Sequence, residues 1–288
     1  MKHLPIFTVI LLILVMLKLP AQTNDSLLQE EISSLKAQLE SYKPGKSQFL
    51  FRGYAHSGFV STDDQVSFDG GSLNPLLVFK QSDRLLFESE LEMELSGEGL
   101  EINLEYANIS YLLTKTLTVR AGKFLTPFGI FVPRLHPAWI NKFPTRPLGA
   151  GHDGLLPTSD IGVELRGGAY LGPMKVNYSL YAINGPALNN GMDEPEEAGR
   201  LHYGRFPDNN KGKSVGGRLG ILPFPNSSLE LGFSGMTGLV GADSGYEEIG
   251  ATLYAIDASF VKSIPEIGSV IDIKGQYSAV MVDEVGKF

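Results

Sequence analysis

"FESELEMEL", residues 87–95, alternates apolar and polar side chains without a break. Phe87, Leu91, Met93 and Leu95 share one face with Ser89, and Glu88, Glu90, Glu92 and Glu94 share the other. Successive side chains on a strand point to opposite sides, so a period of two predicts a β-strand with one apolar and one wet face. Residues 100–106 repeat the pattern, with Leu100, Ile102, Leu104 and Tyr106 opposite Glu101, Asn103 and Glu105. Weaker versions run through Leu117/Val119/Ala121, Ile161/Val163/Leu165, Val176/Tyr178/Leu180, Leu229/Leu231/Phe233 and Ile249/Ala251/Leu253. No helical period persists after Gln48, so the reading is all-β and antiparallel.

Alternation fits both a soluble sandwich and a membrane barrel, and the connections separate them. Strands are expected at 48–60, 75–81, 84–96, 99–112, 115–124, 160–169, 174–183, 214–222, 228–237, 249–260 and 268–281. The connectors sort by parity. One set is short (Ser82-Asp83, "LTK", "YLGP", "PFPNS", "VKSIPEI") and the other is long (61–74, 125–159, 184–213, 238–248), with only the turn at 97–98 out of place. Short turns at one end and long loops at the other are the asymmetry of an outer-membrane barrel. Several strands reach about ten residues, enough to cross the hydrocarbon layer at a tilt. The predicted fold is therefore a transmembrane antiparallel β-barrel at 48–288, in contact with outer-membrane lipid. Closed bacterial barrels have an even number of strands. Eleven is odd, so the sequence reads as the front part of a longer barrel, truncated at its C-terminus.

The first residues support export. Lys2 and His3 precede an apolar run of 12 residues, Ile6 to Leu17, and Ala21 is a small residue suited to cleavage. That run is short of the ~20 residues a spanning helix needs. Residues 1–21 are thus expected to be a signal peptide and the mature protein to reach the bacterial outer membrane through the periplasm. A helix is expected at 24–43, where Leu28, Ile32, Leu35, Leu39 and Tyr42 follow the 3.5-residue period of a coiled-coil seam. It reads either as a periplasmic oligomerisation stub or as an amphipathic helix resting on the main domain.

Composition narrows the chemistry. The chain of 288 residues has no cysteine, which removes disulfides, thiolate metal sites and thiol catalysis. A formal charge of −8 argues against nucleic-acid binding, which needs a basic surface. His136, His152 and Asp153 lack the pattern of a metal site, so none is assigned, and no cofactor is implied. No Ser/His/Asp set or phosphate-binding loop has supporting context, and the chain is expected not to be an enzyme.

Charge is segregated along the chain. From Asp83 to Glu105 there are eight acids and one base; from Tyr106 to His152 there are no acids and six bases. In a barrel, the acids of the first segment would line one arc of the lumen: Glu88, Glu90, Glu92, Glu94, Glu101 and Glu105. The bases Arg120, Lys123, Arg134, Lys142 and Arg146 belong to the next strand and to the long loop 125–159. With Phe124 at its start, that loop carries Phe128, Phe131, Trp139 and Phe143 around the prolines at 127, 133, 137, 144 and 147, too apolar to stand in water. It is expected to fold into the bore and present its bases to the glutamates as a constriction.

The segment "RAGKFLTPFG" (120–129) followed by "RLHPAWINKFPTRPL" (134–148) resembles exported porins of the phosphate-selective porin O and P type, Bacteroidota-like members in particular. The resemblance is specific over Gly122, Phe124, Pro127, Phe128, Gly129, His136, Pro137, Trp139 and Pro147. It implies a trimeric barrel of about sixteen strands admitting small solutes, with basic residues guiding anions. Pro127, Phe128, His136 and Trp139 would anchor the loop. The functional expectation is a porin for passive diffusion of small polar or anionic solutes; the alternative is a binding or adhesion barrel whose long loops contact surface partners.

Overall fold

The structure, a computed structural model, describes residues 24–41, 47–63, 66–96, 99–141, 143, 146–150, 154–192, 195–204, 208, 210–242 and 245–283. The expected signal peptide, Lys142, His152 and Asp153 lie outside these. The chain divides into two units, 1–48 and 49–288. In the first, helix α1 spans Asn24–Ser41. Its heptad residues Ile32 and Leu35 are both exposed.

The second unit is built on one antiparallel sheet of eleven strands, each hydrogen-bonded to the next along the chain. They are β1 (Gln48–Ser61), β2 (Val66–Lys80), β3 (Leu85–Ser96), β4 (Gly99–Leu112), β5 (Leu117–Leu125), β6 (Ser159–Leu171), β7 (Met174–Ile183), β10 (Ser214–Leu222), β11 (Leu229–Leu239), β12 (Gly250–Ile264) and β13 (Ser269–Val282). Between β7 and β10, the two-residue strands β8 (Ala187–Leu188) and β9 (Leu201–His202) pair with each other. The count of eleven matches the sequence expectation.

Two expectations change. β2 starts at Val66, not at residue 75, so the first connector is short rather than long. The segment "FDGGS" reads as a loop because of its glycines, yet it is strand. At Gly71, with φ +81, a β-carbon would lie 1.9 Å from the His56 carbonyl oxygen, so glycine is what lets β2 run close to β1. The second change concerns Tyr106, expected beside Leu104 on the apolar face. Opposite the β3 step Glu90–Leu91 the β4 partners jump from Tyr106 to Leu104, so Glu105 is an extra residue in a β-bulge. The bulge reverses the phase of β4. Leu100, Ile102 and Leu104 are exposed on the same side as Ile109 and Tyr111, while Tyr106 turns to the polar face and bonds Glu90.

The sheet's two faces differ in kind. One carries exposed Phe49, Phe51, Leu100, Ile102, Val163, Leu180, Val215, Phe233, Ile256 and Tyr277, from eight different strands. The other holds the polar residues and the core. That core gathers Phe124, Phe128, Phe131 and Val132, from the end of β5 and the segment 126–158, against Tyr181, Met236, Leu253 and Ala255 on β7, β11 and β12. The segment therefore packs on the polar face, as its apolar content predicts, although Trp139, Phe143 and Leu148 remain exposed.

Candidate functional site

The seat of segment 126–158 is made by its own backbone. Gly129 N–H donates to Ser234 Oγ at 3.0 Å, and Ile130 N–H donates to Gln276 Oε1 at 2.8 Å. Ser234 is on β11 and Gln276 on β13, both on the inward face. Gly129 has φ +65, and a β-carbon there would meet Gln276 at 2.3 Å, so glycine is required both for the turn and for the approach. Phe131–Leu135 then forms one π-helical turn. Pro127 and Phe128, two of the four expected anchors, are buried at this seat.

Beneath the seat lies a charged wall. Arg120 and Glu164 are directly paired across β5 and β6, and their side chains meet at 2.5 Å. Ser179 on β7 donates to the other oxygen of Glu164 at 2.7 Å, and the Arg120 guanidinium lies 4.5 Å from the centre of the buried Phe124 ring. Further along, Arg218 on β10 binds Asp257 on β12 at 2.6 Å and Glu230 on β11 at 3.1 Å. β11 separates Arg218 from Asp257, and the reach is possible because Gly232 has no side chain. A β-carbon at Gly232 would lie 2.3 Å from Arg218 Nη2 and from both Asp257 oxygens. Arg134, from the inward segment, joins the same group through Glu230 at 2.7 Å and Asn177 at 3.5 Å.

These side chains border a cavity of about 240 Å³ lined by Arg120, Arg134, Arg166, Arg218, Glu164 and Asn177, among others. Glu164 answers Arg120, and Glu230 with Asp257 answer Arg134 and Arg218. Among the described residues no hydrogen bond or ion pair holds the Arg166 guanidinium. It is the surplus cation of the wall.

The expected residues divide between this wall and a second cluster. Arg134 does not meet the glutamates of β3 and β4 but Glu230, which follows it by 96 positions. Arg146 does meet them, 3.7 Å from Glu92. Lys123 has the parity opposite to Arg120, and its ammonium bonds the Leu104 carbonyl at 2.6 Å. Glu90 is buried, accepting from the hydroxyls of Tyr54 (2.7 Å) and Tyr106, whereas Glu88 and Glu92 are half-buried and Glu94 and Glu101 are exposed. His136 donates from Nδ1 to the Val132 carbonyl at 2.7 Å, and its Nε2 sits 4.0 Å from Glu105.

Sequence reasoning missed Glu164, Arg166, Arg218, Glu230, Asp257 and Tyr54. A signal was present. Arg218 is the one charge of its strand ("SVGGRLGIL") and Asp257 interrupts the uncharged run 250–261 of its own ("GATLYAIDASFV"), and an ionisable residue inside a spanning segment marks a function.

No protein-family model matches the chain, and no curated protein matches it. Among solved structures, the loop L8 deletion mutant of OmpT, an outer membrane protein of Vibrio cholerae, is 12% identical, with 83% of this chain and 72% of that chain covered and a TM-score of 0.46. The trimer form of in-vitro folded OmpT from the same organism is 11% identical over 84% and 79%, with a TM-score of 0.41. Likeness of this degree transfers no residue role. What decides the class is the apolar face described above: large apolar side chains stand exposed on strand after strand, backed by strands that satisfy one another's backbones.

The sheet has the construction of a membrane-spanning β-barrel. One expectation is corrected here. The sequence reading that it is not an enzyme rested on missing motifs alone; absent motifs exclude no activity, so that reading does not stand and is dropped.

Proposed function

We propose that this barrel is a porin, narrowed by segment 126–158, through which small polar and anionic solutes diffuse. The observation that carries the reading is the four-arginine cavity at the foot of the inward segment, with Arg166 in excess of the carboxylates around it. Arg120, Arg134, Arg166 and Arg218 line one side of the passage; Glu88, Glu90, Glu92 and Glu105, with Arg146 against them, line the other. Opposed arcs of charge order a polar solute as it passes, and a surplus guanidinium favours anions. The sequence resemblance to phosphate-selective porins points the same way. Three carboxylates on the same wall favour weak selectivity over strict selectivity.

The proposed assembly is a homotrimer, held in part by α1. In its heptad Glu31 and Lys36 lie five residues apart on the flanks of the seam, the spacing that pairs neighbouring helices in a parallel coiled coil.

The test is single-channel recording of purified protein in planar bilayers. Discrete current steps are expected, and their absence would sink the porin reading. Under a salt gradient, Arg166→Glu is expected to lower the anion-to-cation permeability ratio several-fold. An unchanged ratio removes Arg166 from its role.

A further inference from the structure

His136 occupies an unusual position. It closes the π-helical turn at the seat of the inward segment, and its ring is largely buried. Nδ1–H is committed to the Val132 carbonyl. Nε2 is buried and, among the described residues, has no hydrogen-bond partner. The facing Glu105 Oε1, on the bulge of β4, is 4.0 Å away, beyond hydrogen-bond reach. A cavity of about 140 Å³ adjoins the ring and is lined by Glu105, Lys123, Arg146 and Tyr203, among others.

We propose that His136 is an acid-operated release for segment 126–158: neutral, it fits the seat, and protonated, it leaves it. A proton on Nε2 would place a cation in a buried site with no acceptor within hydrogen-bond distance, the Glu105 carboxylate standing at 4.0 Å. The groups that face it are Glu105 from β4, Glu90 and Glu92 from β3, Arg146 from the segment itself, Lys123 from β5 and Tyr203 from the stretch between β7 and β10. The carboxylates favour the charged ring; burial and the two cations oppose it. Burial is the largest influence and holds the imidazole below the ordinary value of 6.5.

The sign follows. A histidine whose pKa is lower in the seat than in water stabilises the seat above about pH 6.5 and loses that contribution as pH falls. The released fraction then rises by up to about tenfold per pH unit below that point. Released, the His136 ring reaches water and the passage widens; this last step rests on the porin reading.

Trp139, the only tryptophan of the chain, lies three residues from His136 and reports on the segment directly. We expect its emission in the folded, detergent-solubilised protein to step between pH 7.5 and 4.5, reversibly. The step should vanish in His136→Gln and persist in His56→Gln, whose histidine bonds Ser72 on another part of the wall. A step that survives His136→Gln, or none in the unaltered protein, overturns the proposal. Bilayer conductance should rise over the same pH range. No current at any pH, with the fluorescence step intact, would refute the porin reading and leave the release standing.

Discussion

Gly232 offers a test in which two physical expectations have opposite signs. Replacing glycine by alanine inside a strand ordinarily stabilises by about 0.5–1 kcal/mol, since less backbone freedom is lost on folding. At Gly232 the added methyl would sit 2.3 Å from Arg218 Nη2 and from both carboxylate oxygens of Asp257. No real β-carbon approaches so closely, so the pair must part. Asp257 is 1% exposed and Arg218 6%, leaving little room for either to retreat into water. Breaking a buried ion pair costs about 3–5 kcal/mol. Arg218 keeps Glu230 and Asn177, which places the loss near the lower end. Net of the strand gain, Gly232→Ala is expected to destabilise by about 2 kcal/mol. Gly235, on the same strand but the opposite face, has nothing nearer than the Leu253 carbonyl at 4.0 Å, and Gly235→Ala is expected to stabilise by about 0.5 kcal/mol. Both variants are compared with the parent by urea unfolding of folded protein in lipid vesicles. A Gly232→Ala variant as stable as the parent would show that Gly232 does not shelter the pair.

Gly129→Ala should unseat the inward segment, since alanine is strained at φ +65 and its methyl strikes Gln276; together with the exposed Ile130 N–H this amounts to about 2–4 kcal/mol. Faster proteolytic cleavage within 126–158, with the sheet intact by circular dichroism, is the expected readout. In α1, Glu31→Lys or Lys36→Glu alone should weaken self-association, and the double exchange should restore it. Sedimentation of the full chain in detergent decides, and single variants that associate like the parent would dismiss the parallel pairing.

How much of this could be read from the sequence depended on the range of the interaction. Strand identity is a local property of alternation, and "FESELEMEL" gives β3 almost to the residue. The bulge was legible too: apolar residues fall on even positions through Leu104 and on odd ones from Ala107, and such a switch within one strand requires an extra residue. The β2 start was not, because Gly70 and Gly71 carry a turn signal that only the neighbouring strand overrides. Least legible were the partners of the basic segment. Acids before residue 106 and bases after it suggest that the two blocks meet. Among the described residues of the loop, Arg146 and His136 come near those acids, while Arg134 finds Glu230. Which carboxylate faces a loop cation is set by the register of strands more than ninety residues away, and no local pattern encodes it.

That division of partners bears on how the segment works. Arg146–Glu92 and Arg134–Glu230 tie it to β3 on one side and β11 on the other, but both arginines are more than a third exposed. Ion pairs so open to water contribute about 0–1 kcal/mol each. Phe128 is buried to 1%, and the N–H groups of Gly129 and Ile130 would be left without acceptors if the segment lifted. Burying one phenylalanine is worth about 1.5–3 kcal/mol, and each orphaned buried N–H costs about 1–3 kcal/mol. Position is therefore held by aromatic burial and backbone hydrogen bonds, and the arginines contribute field more than grip. The charges facing the cavity can change without moving the segment that carries them, so under the proposed porin function selectivity and the seating of the segment rest on different residues.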